Sequence, residues 1–186
     1  MMNSSLFDLS GQAALVTGGS GALGRALAEA LIEAGARVAI VGLSERVEQT
    51  ASDLGCIGLR ADLANRAVRQ RIFDEAMSAL GQVDIFVAAH GIITRHKSEE
   101  YPLDEWDKIL EVNLTSVFEL CQLAGRSMLA RQRGKIILVV SILSFSGGLT
   151  VPAYAAGKGG VAQITKALAN EWAGRGVNER HCARLF

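Results

Sequence analysis

Aromatic residues make up only 5% of these 186 residues, and proline occurs twice. The hydrophobic fraction is nevertheless 49%, so the core must be aliphatic, and few breaks are enforced along the chain. Twenty glycines supply small residues where helices pack closely on a sheet. An excess of charge of either sign is also missing, with 19 basic and 19 acidic residues. That balance leaves no basic field to attract nucleic acid or an anionic membrane. The cysteines Cys56, Cys121 and Cys182 form no CxxC pair and no metal-ligand spacing. They read as buried or incidental thiols in a reducing compartment, with no metal expected. The chain does not open on a charged segment followed by an apolar run, and no apolar stretch reaches the ~20 residues a spanning helix needs. These exclusions leave a soluble, cytoplasmic domain, and the length suits a single one.

What is present is a regular alternation. Short apolar runs at 13–17, 37–41, 56–60, 83–88 and 135–140 read as strands. Between them, 22–34, 45–54, 65–80 and 151–173 read as helices, and 103–131 as two more. Continuous apolar strands alternating with helices imply an α/β fold: a doubly wound, Rossmann-type parallel sheet in a three-layer α/β/α arrangement. No internal repeat or linker interrupts it.

The first strand runs into Thr17-Gly18-Gly19-Ser20-Gly21-Ala22-Leu23-Gly24, and a helix follows at once. Glycines let the backbone turn sharply and approach a pyrophosphate. The helix N-terminus beyond them offers free N–H groups and a positive dipole end. The spacing also satisfies G-x-G-x-x-G in the strand–turn–helix context that gives this motif its weight. The alternative is an ordinary glycine-rich turn. An acid ending the second strand usually holds the adenosine ribose, but here Gly42 is followed by Leu43-Ser44-Glu45-Arg46. Glu45 is a candidate for the ribose and Arg46 for a 2′-phosphate, and the balance favours NAD over NADP. Asp62, after the third strand, is either a contact for the adenine amino group or the cap of the next helix.

Tyr154 and Lys158 are four residues apart on the last helix and share a face. A free phenol titrates near ~10, too high for a base at neutral pH, and a neighbouring ammonium corrects this. Ser141 ends the fifth strand, where parallel sheets place their ligands. Taken alone, the Tyr/Lys spacing is an ordinary helix-surface pair. Taken with Ser141 and the glycine loop, it becomes a catalytic constellation.

On Thr17-Gly18-x-x-x-Ala22-x-Gly24, Asp62, Asn113 in Val112-Asn113-Leu114, Ser141 and Tyr154-x-x-x-Lys158, the chain resembles the classical short-chain dehydrogenases/reductases from about Leu9 to Asn178. The resemblance implies a secondary alcohol–ketone oxidoreductase using NAD or NADP. In it Tyr154 is the general acid/base, Lys158 lowers the tyrosine's pKa and binds the nicotinamide ribose, and Ser141 polarises the substrate carbonyl. Asn113, otherwise a helix-surface amide, would kink its helix and hold a relay water. Gly18, Ser20, Gly21, Ala22, Leu23, Gly24, Asp62, Leu63, Ala89, Gly91, Tyr154 and Lys158 would contact the cofactor. A homo-oligomer, paired through the helices around 113–131 and 152–173, is implied as well. The segments 6–11, 141–148, 151–154 and 169–172 are similar to the branch acting on gluconate-type sugar acids. A ketoreductase for acyl chains and an inactive nucleotide-binding fragment are the rival readings.

The sequence departs from the family in three places. Ala22 replaces the middle glycine of the loop. Ala88-Ala89-His90-Gly91 replaces Asn-Asn-Ala-Gly, whose asparagines stitch the central strands; two alanines cannot do so, and replacement of one hydrogen bond by His90 is the alternative rather than the expectation. After Asn178 comes the polar octapeptide 179–186, where the family continues with a sixth strand and a Pro-Gly segment. The expectation is therefore one domain over 1–178 that lacks the family's last strands, a fifth strand left as an aggregation-prone edge, and an aberrant tail. One permitted coding of the octapeptide, GAA CGG CAT TGC GCC CGG CTA TTT, contains Asn-Gly-Ile-Ala-Pro-Gly-Tyr in another frame, so a frameshift is our hypothesis for the tail. Sequencing the gene tests it: codons that cannot yield Ala-Pro-Gly in a shifted frame refute the idea.

Overall fold

The computed structural model describes residues 7–184, with side chains through 178; Leu6 and the last two residues of the tail lie outside them. The aliphatic runs form strands β1 (Ala13–Thr17), β2 (Arg37–Gly42), β3 (Ile57–Arg60), β4 (Ile85–Ala88) and β5 (Gly134–Ser141). They are joined by helices α1 (Ala22–Glu33), α2 (Arg46–Leu54), α3 (Arg66–Leu80), α4 (Leu103–Leu110) and α5 (Ser116–Ala130). A single turn, α6 (Leu143–Ser146), and a long helix, α7 (Pro152–Trp172), follow β5.

The strands pair in parallel in the order β3-β2-β1-β4-β5, which makes the neighbouring β1 and β4 the point where the winding reverses. Successive side chains of each strand point to opposite faces. Ala13, Leu15, Phe86, Ile136 and Leu138 pack with α3, α5 and α7 in one core. Ala14, Val16, Ile40, Ile85 and Val87 pack with α1 and α2 in the other. Both layers thus derive from the period-two burial of continuous apolar strands.

The end of the chain requires a correction. Val177–Arg184 forms β6, a parallel sixth strand running beside β5 from Gly134↔Val177 to Ser141↔Arg184. The polar composition of 179–184 argued against a strand. A parallel ladder is made by backbone N–H and C=O groups, however, and the apolar β5 offers them whatever side chains its neighbour carries. Among the described residues β5 is therefore interior, and β6 is the edge.

At the opposite end of the strands from the glycine loop, the buried Asp84 fastens β1 to the α5–β5 turn. Its carboxylate accepts from Ala13 N at 3.0 Å, Gln82 Nε2 at 2.9 Å and Arg131 Nη1 at 2.9 Å. Burial would raise its pKa, but the hydrogen bonds from Arg131, Ala13 and Gln82 outweigh burial and lower it. No helix among the described residues is long and apolar enough to cross a membrane.

Candidate active site

A cleft opens over the carboxyl ends of β1 and β4, the position at which open parallel sheets bind ligands. It has two confluent cavities. One of about 540 Å³ runs from Gly18 and Ser20 past Leu43 to Asp62 and Leu63. The other, about 290 Å³, runs from the glycine loop to Ser141, Tyr154 and Lys158. Gly18, Gly21, Ala89, His90 and Gly91 belong to both. Every residue that the family resemblance assigns to the cofactor lines one cavity or the other.

The glycine loop is shaped by close backbone approach. Gly18 has φ +73°, and a side chain there would begin 2.7 Å from the His90 nitrogen. At Gly24 a side chain would begin 2.1 Å from the Gly18 carbonyl oxygen, so α1 can pass the loop only on a glycine. Ala22, the departure from the motif, is exposed at the first position of α1, where its methyl meets no obstacle. No side chain caps α1, so its first N–H groups and dipole face the cleft, as an anionic pyrophosphate requires. This cradle and the length of the cleft fit a dinucleotide.

At the far rim, Leu43 rather than an ionised side chain lines the cleft beside Gly42. Glu45, the ribose candidate, is turned to Arg60 at 3.0 Å, and neither Glu45 nor Arg46 is among the lining residues. Asp62 is exposed on the cleft wall and accepts from Ala64 N at 2.9 Å. The cap of α3 is Asn65, which accepts from Ala67 N at 3.0 Å, so the alternative role for Asp62 falls away.

Ser141, Tyr154 and Lys158 come together in the second cavity. Ser141 ends β5, with its Oγ accepting from Leu143 N at 3.2 Å as the chain turns into α6. Beyond it Ile142 and Phe145 are exposed. Pro152 begins α7, and Tyr154 and Lys158 follow one turn apart. Lys158 is buried, and its Nζ donates to the Val139 carbonyl at 2.7 Å. Burial pushes its pKa down to about 8.

Asn113 is not a surface amide: it is fully buried, behind the cleft wall rather than on it. Its helix widens into a π-turn over Glu111–Thr115, which is the kink the resemblance implied. Its amide bridges both backbone groups of Ile92, with Nδ2 donating to the Ile92 carbonyl and Oδ1 accepting from the Ile92 nitrogen, both at 2.8 Å. The same turn is held from outside by Arg69, whose side chain is wholly buried. Arg69 binds Glu111 and Glu119 at 2.7 Å each and donates to the Leu63 carbonyl at 2.8 Å. Arg66 adds a more exposed ion pair at 2.9 Å. Led by the Arg66 hydrogen bond and against partial burial, these cations pull the Glu111 carboxyl down to about 2.

His90, the weaker alternative for replacing one stitching hydrogen bond, makes two. The ring is buried, with Nδ1 at 2.6 Å from Thr17 Oγ1 and Nε2 at 2.8 Å from Ser116 Oγ. It thereby joins β1 to α5, across a gap that two alanines leave open. The signal available was one of only three histidines, placed between a buried strand and a glycine.

The chain matches the short chain dehydrogenase family model over residues 12–183. It is 41% identical over 181 residues to a 2-dehydro-3-deoxy-D-gluconate 5-dehydrogenase of Pseudoalteromonas atlantica, covering 92% of this chain and 70% of that protein. A Bacillus subtilis protein of the same name is 44% identical over 178 residues, with coverage of 92% and 69%. Among solved structures, one from Beutenbergia cavernae, assigned as an NAD(P)-dependent gluconate 5-dehydrogenase with NADP bound at low occupancy, superposes with a TM-score of 0.91. It is 39% identical, and the match covers 95% of this chain and 73% of that one.

The buried His90 makes stability depend on pH. Burial first, then the charge of Lys158, pushes its pKa down to about 3, with the Val112 carbonyl opposing and Arg69 adding to the effect. An unfolded histidine titrates near ~6.5. Between those values the unfolded chain binds more protons than the folded one. The stabilisation is therefore complete above about pH 6.5 and is lost as pH falls towards 3. Going from pH 7 to pH 5 should cost the wild type about 2 kcal/mol through this residue. Denaturant melts at both pH values test this: His90→Gln should lack that share of the loss, and an equal loss in both proteins would contradict it.

Proposed function

The chain belongs to the short-chain dehydrogenase/reductase family and is by that membership an NAD(P)-dependent oxidoreductase; on that premise we propose that it interconverts a secondary alcohol and a ketone on a gluconate-type sugar acid. The carrying observation is the convergence of Ser141, Tyr154 and Lys158 on one cavity with the glycine loop. The names of the relatives at 41% and 44% identity support the substrate class.

When bound between the glycine loop and Lys158, a nicotinamide would supply the hydride acceptor for oxidation of the alcohol and the donor for reduction of the ketone. The remaining work falls to side chains of this chain. Ser141 holds the substrate oxygen by a hydrogen bond. Tyr154 takes the hydroxyl proton during oxidation and gives it back during reduction. Lys158 is charged at neutral pH even with its lowered pKa, and it stands one helical turn from Tyr154. Asn113 acts at one remove, fixing the segment at Ile92 that walls the cavity. NAD is the preferred cofactor in this reading: the rim beside Gly42 presents Leu43, which has no charge to offer a 2′-phosphate.

Tyr154→Phe removes the acid/base hydroxyl and keeps the ring. Turnover of D-gluconate should fall by roughly a thousandfold or more, the upper part of the range for general acid–base groups. NADH affinity, read by fluorescence, should stay within a few-fold. In the same assay the wild type should use NAD in preference to NADP. A Tyr154→Phe protein that retains near wild-type turnover would rule out the assigned mechanism.

A further inference from the structure

Buried histidines in a fold of this kind need a reason, and His90 has two partners on different elements. Ser116 Oγ donates to the Val112 carbonyl at 2.7 Å. A hydroxyl has one proton, so towards His90 this oxygen accepts, and Nε2 is the ring nitrogen that carries hydrogen. Nδ1 is then a bare acceptor, so the single Thr17 Oγ1 proton goes to it at 2.6 Å and not to the Val87 carbonyl, which lies 3.3 Å away. The result is a directed chain: Thr17 to His90, His90 to Ser116, Ser116 to the Val112 carbonyl inside the π-turn. The residue next to Val112 is Asn113. At the other end, Thr17 is the last residue of β1 and is followed by Gly18, which packs against the His90 backbone.

We propose that His90 is a positioning residue of the dehydrogenase: a one-tautomer bridge that locks the glycine-loop end of β1 to the π-turn carrying Asn113, supplying the stitching that Ala88 and Ala89 cannot. The inference rests on the proposed part played by Asn113 in the reaction. The bridge is built for a neutral ring. The charged groups facing it are Lys158 on α7 and Arg69 on α3, both cations that repel a protonated imidazole. A histidine suits the gap because its two nitrogens lie on opposite sides of a rigid ring, so one side chain spans β1 and α5. Asparagine at the same position reaches only the Thr17 end, and glutamine only the Ser116 end.

The first test is nitrogen-15 NMR of the imidazoles in the full chain. His90 should be the Nε2–H tautomer and should not titrate between pH 8 and pH 5. An Nδ1–H tautomer, or titration near ~6.5 as in a free histidine, overturns the proposal. The second test is functional. His90→Ala should lower kcat for D-gluconate with NAD at least tenfold while the gluconate KM moves less than threefold. His90→Asn and His90→Gln should each recover part of the loss. The double variant Thr17→Val/His90→Ala should be no worse than His90→Ala alone. An alanine variant within twofold of wild type in kcat, or additive losses in the double variant, overturns it. If the wild type does not turn over gluconate, only the substrate reading fails. Exchange protection of the Ile92 N–H then decides: it should fall at least tenfold in Thr17→Val, which keeps the ring, and an unchanged rate overturns the bridge.

Discussion

The catalytic half of this molecule depends on one widened turn of helix. At Glu111–Thr115 the helix makes a π-turn, an irregularity that persists where surrounding contacts over-determine it. Three residues of this stretch are tied to three different parts of the fold. Glu111 is held by Arg66 and Arg69 of α3, Asn113 by both backbone groups of Ile92, and Ser116, just past the turn, by His90 after β4. The ties are unequal. Arg66 is largely exposed, and such pairs contribute about 0–1 kcal/mol. Arg69 is wholly buried with two carboxylates and two carbonyl oxygens around it, and breaking a buried pair costs about 3–5 kcal/mol. Arg69 therefore does most to hold the turn. Because it also donates to the Leu63 carbonyl, the same cation orders the loop that walls the other end of the cleft.

The sheet explains why these ties matter. With β1 and β4 adjacent and their connections leaving in opposite directions, the chain parts above them and opens the cleft. Nothing in the strands themselves closes the walls. One wall is the loop after β1, fixed by close backbone approach at Gly18 and Gly24. The other is the segment after β4, from Ala89 to Ile92, which has no regular structure of its own. It takes its shape from Asn113 and His90. The spacing of the two walls is set by backbone contact, with Ala89 N donating to the Thr17 carbonyl at 3.1 Å, together with the side-chain hydrogen bonds of His90 and Asn113.

This division also marks what could be read from the sequence. Strands β1 to β5 and the long helices follow from apolar runs and periodicity and lie within a few residues of their expected bounds. The glycine loop, Ser141 and the Tyr154/Lys158 pair were legible because each is a local pattern in a known place, and all line the cleft. The π-turn was legible only as a kink at Asn113 implied by the family resemblance, since Glu111-Val112-Asn113-Leu114-Thr115 has the letters of ordinary helix and the extra residue per turn leaves no mark in composition. Arg69 looks like a helix-surface residue until Glu111, 42 positions away, is known to cover it. His90 looked like a loss, because the asparagines it stands beside are missing and its partners are 73 and 26 residues distant. β6 was missed for the opposite reason: side-chain polarity was weighed where the backbone ladder decides.

Burial acts on the two bases in the cleft floor in the same direction and with different results. Both His90 and Lys158 are pushed down because a charge is poorly solvated there. Starting near ~6.5, the histidine falls far below neutrality; starting near ~10.5, the lysine reaches only about 8. At pH 7 the imidazole is therefore neutral and the ammonium still charged. The Val139 carbonyl accepts from the lysine at 2.7 Å, whereas a proton on His90 would face Lys158 itself. A neutral histidine makes its two hydrogen bonds without placing a second cation beside Lys158.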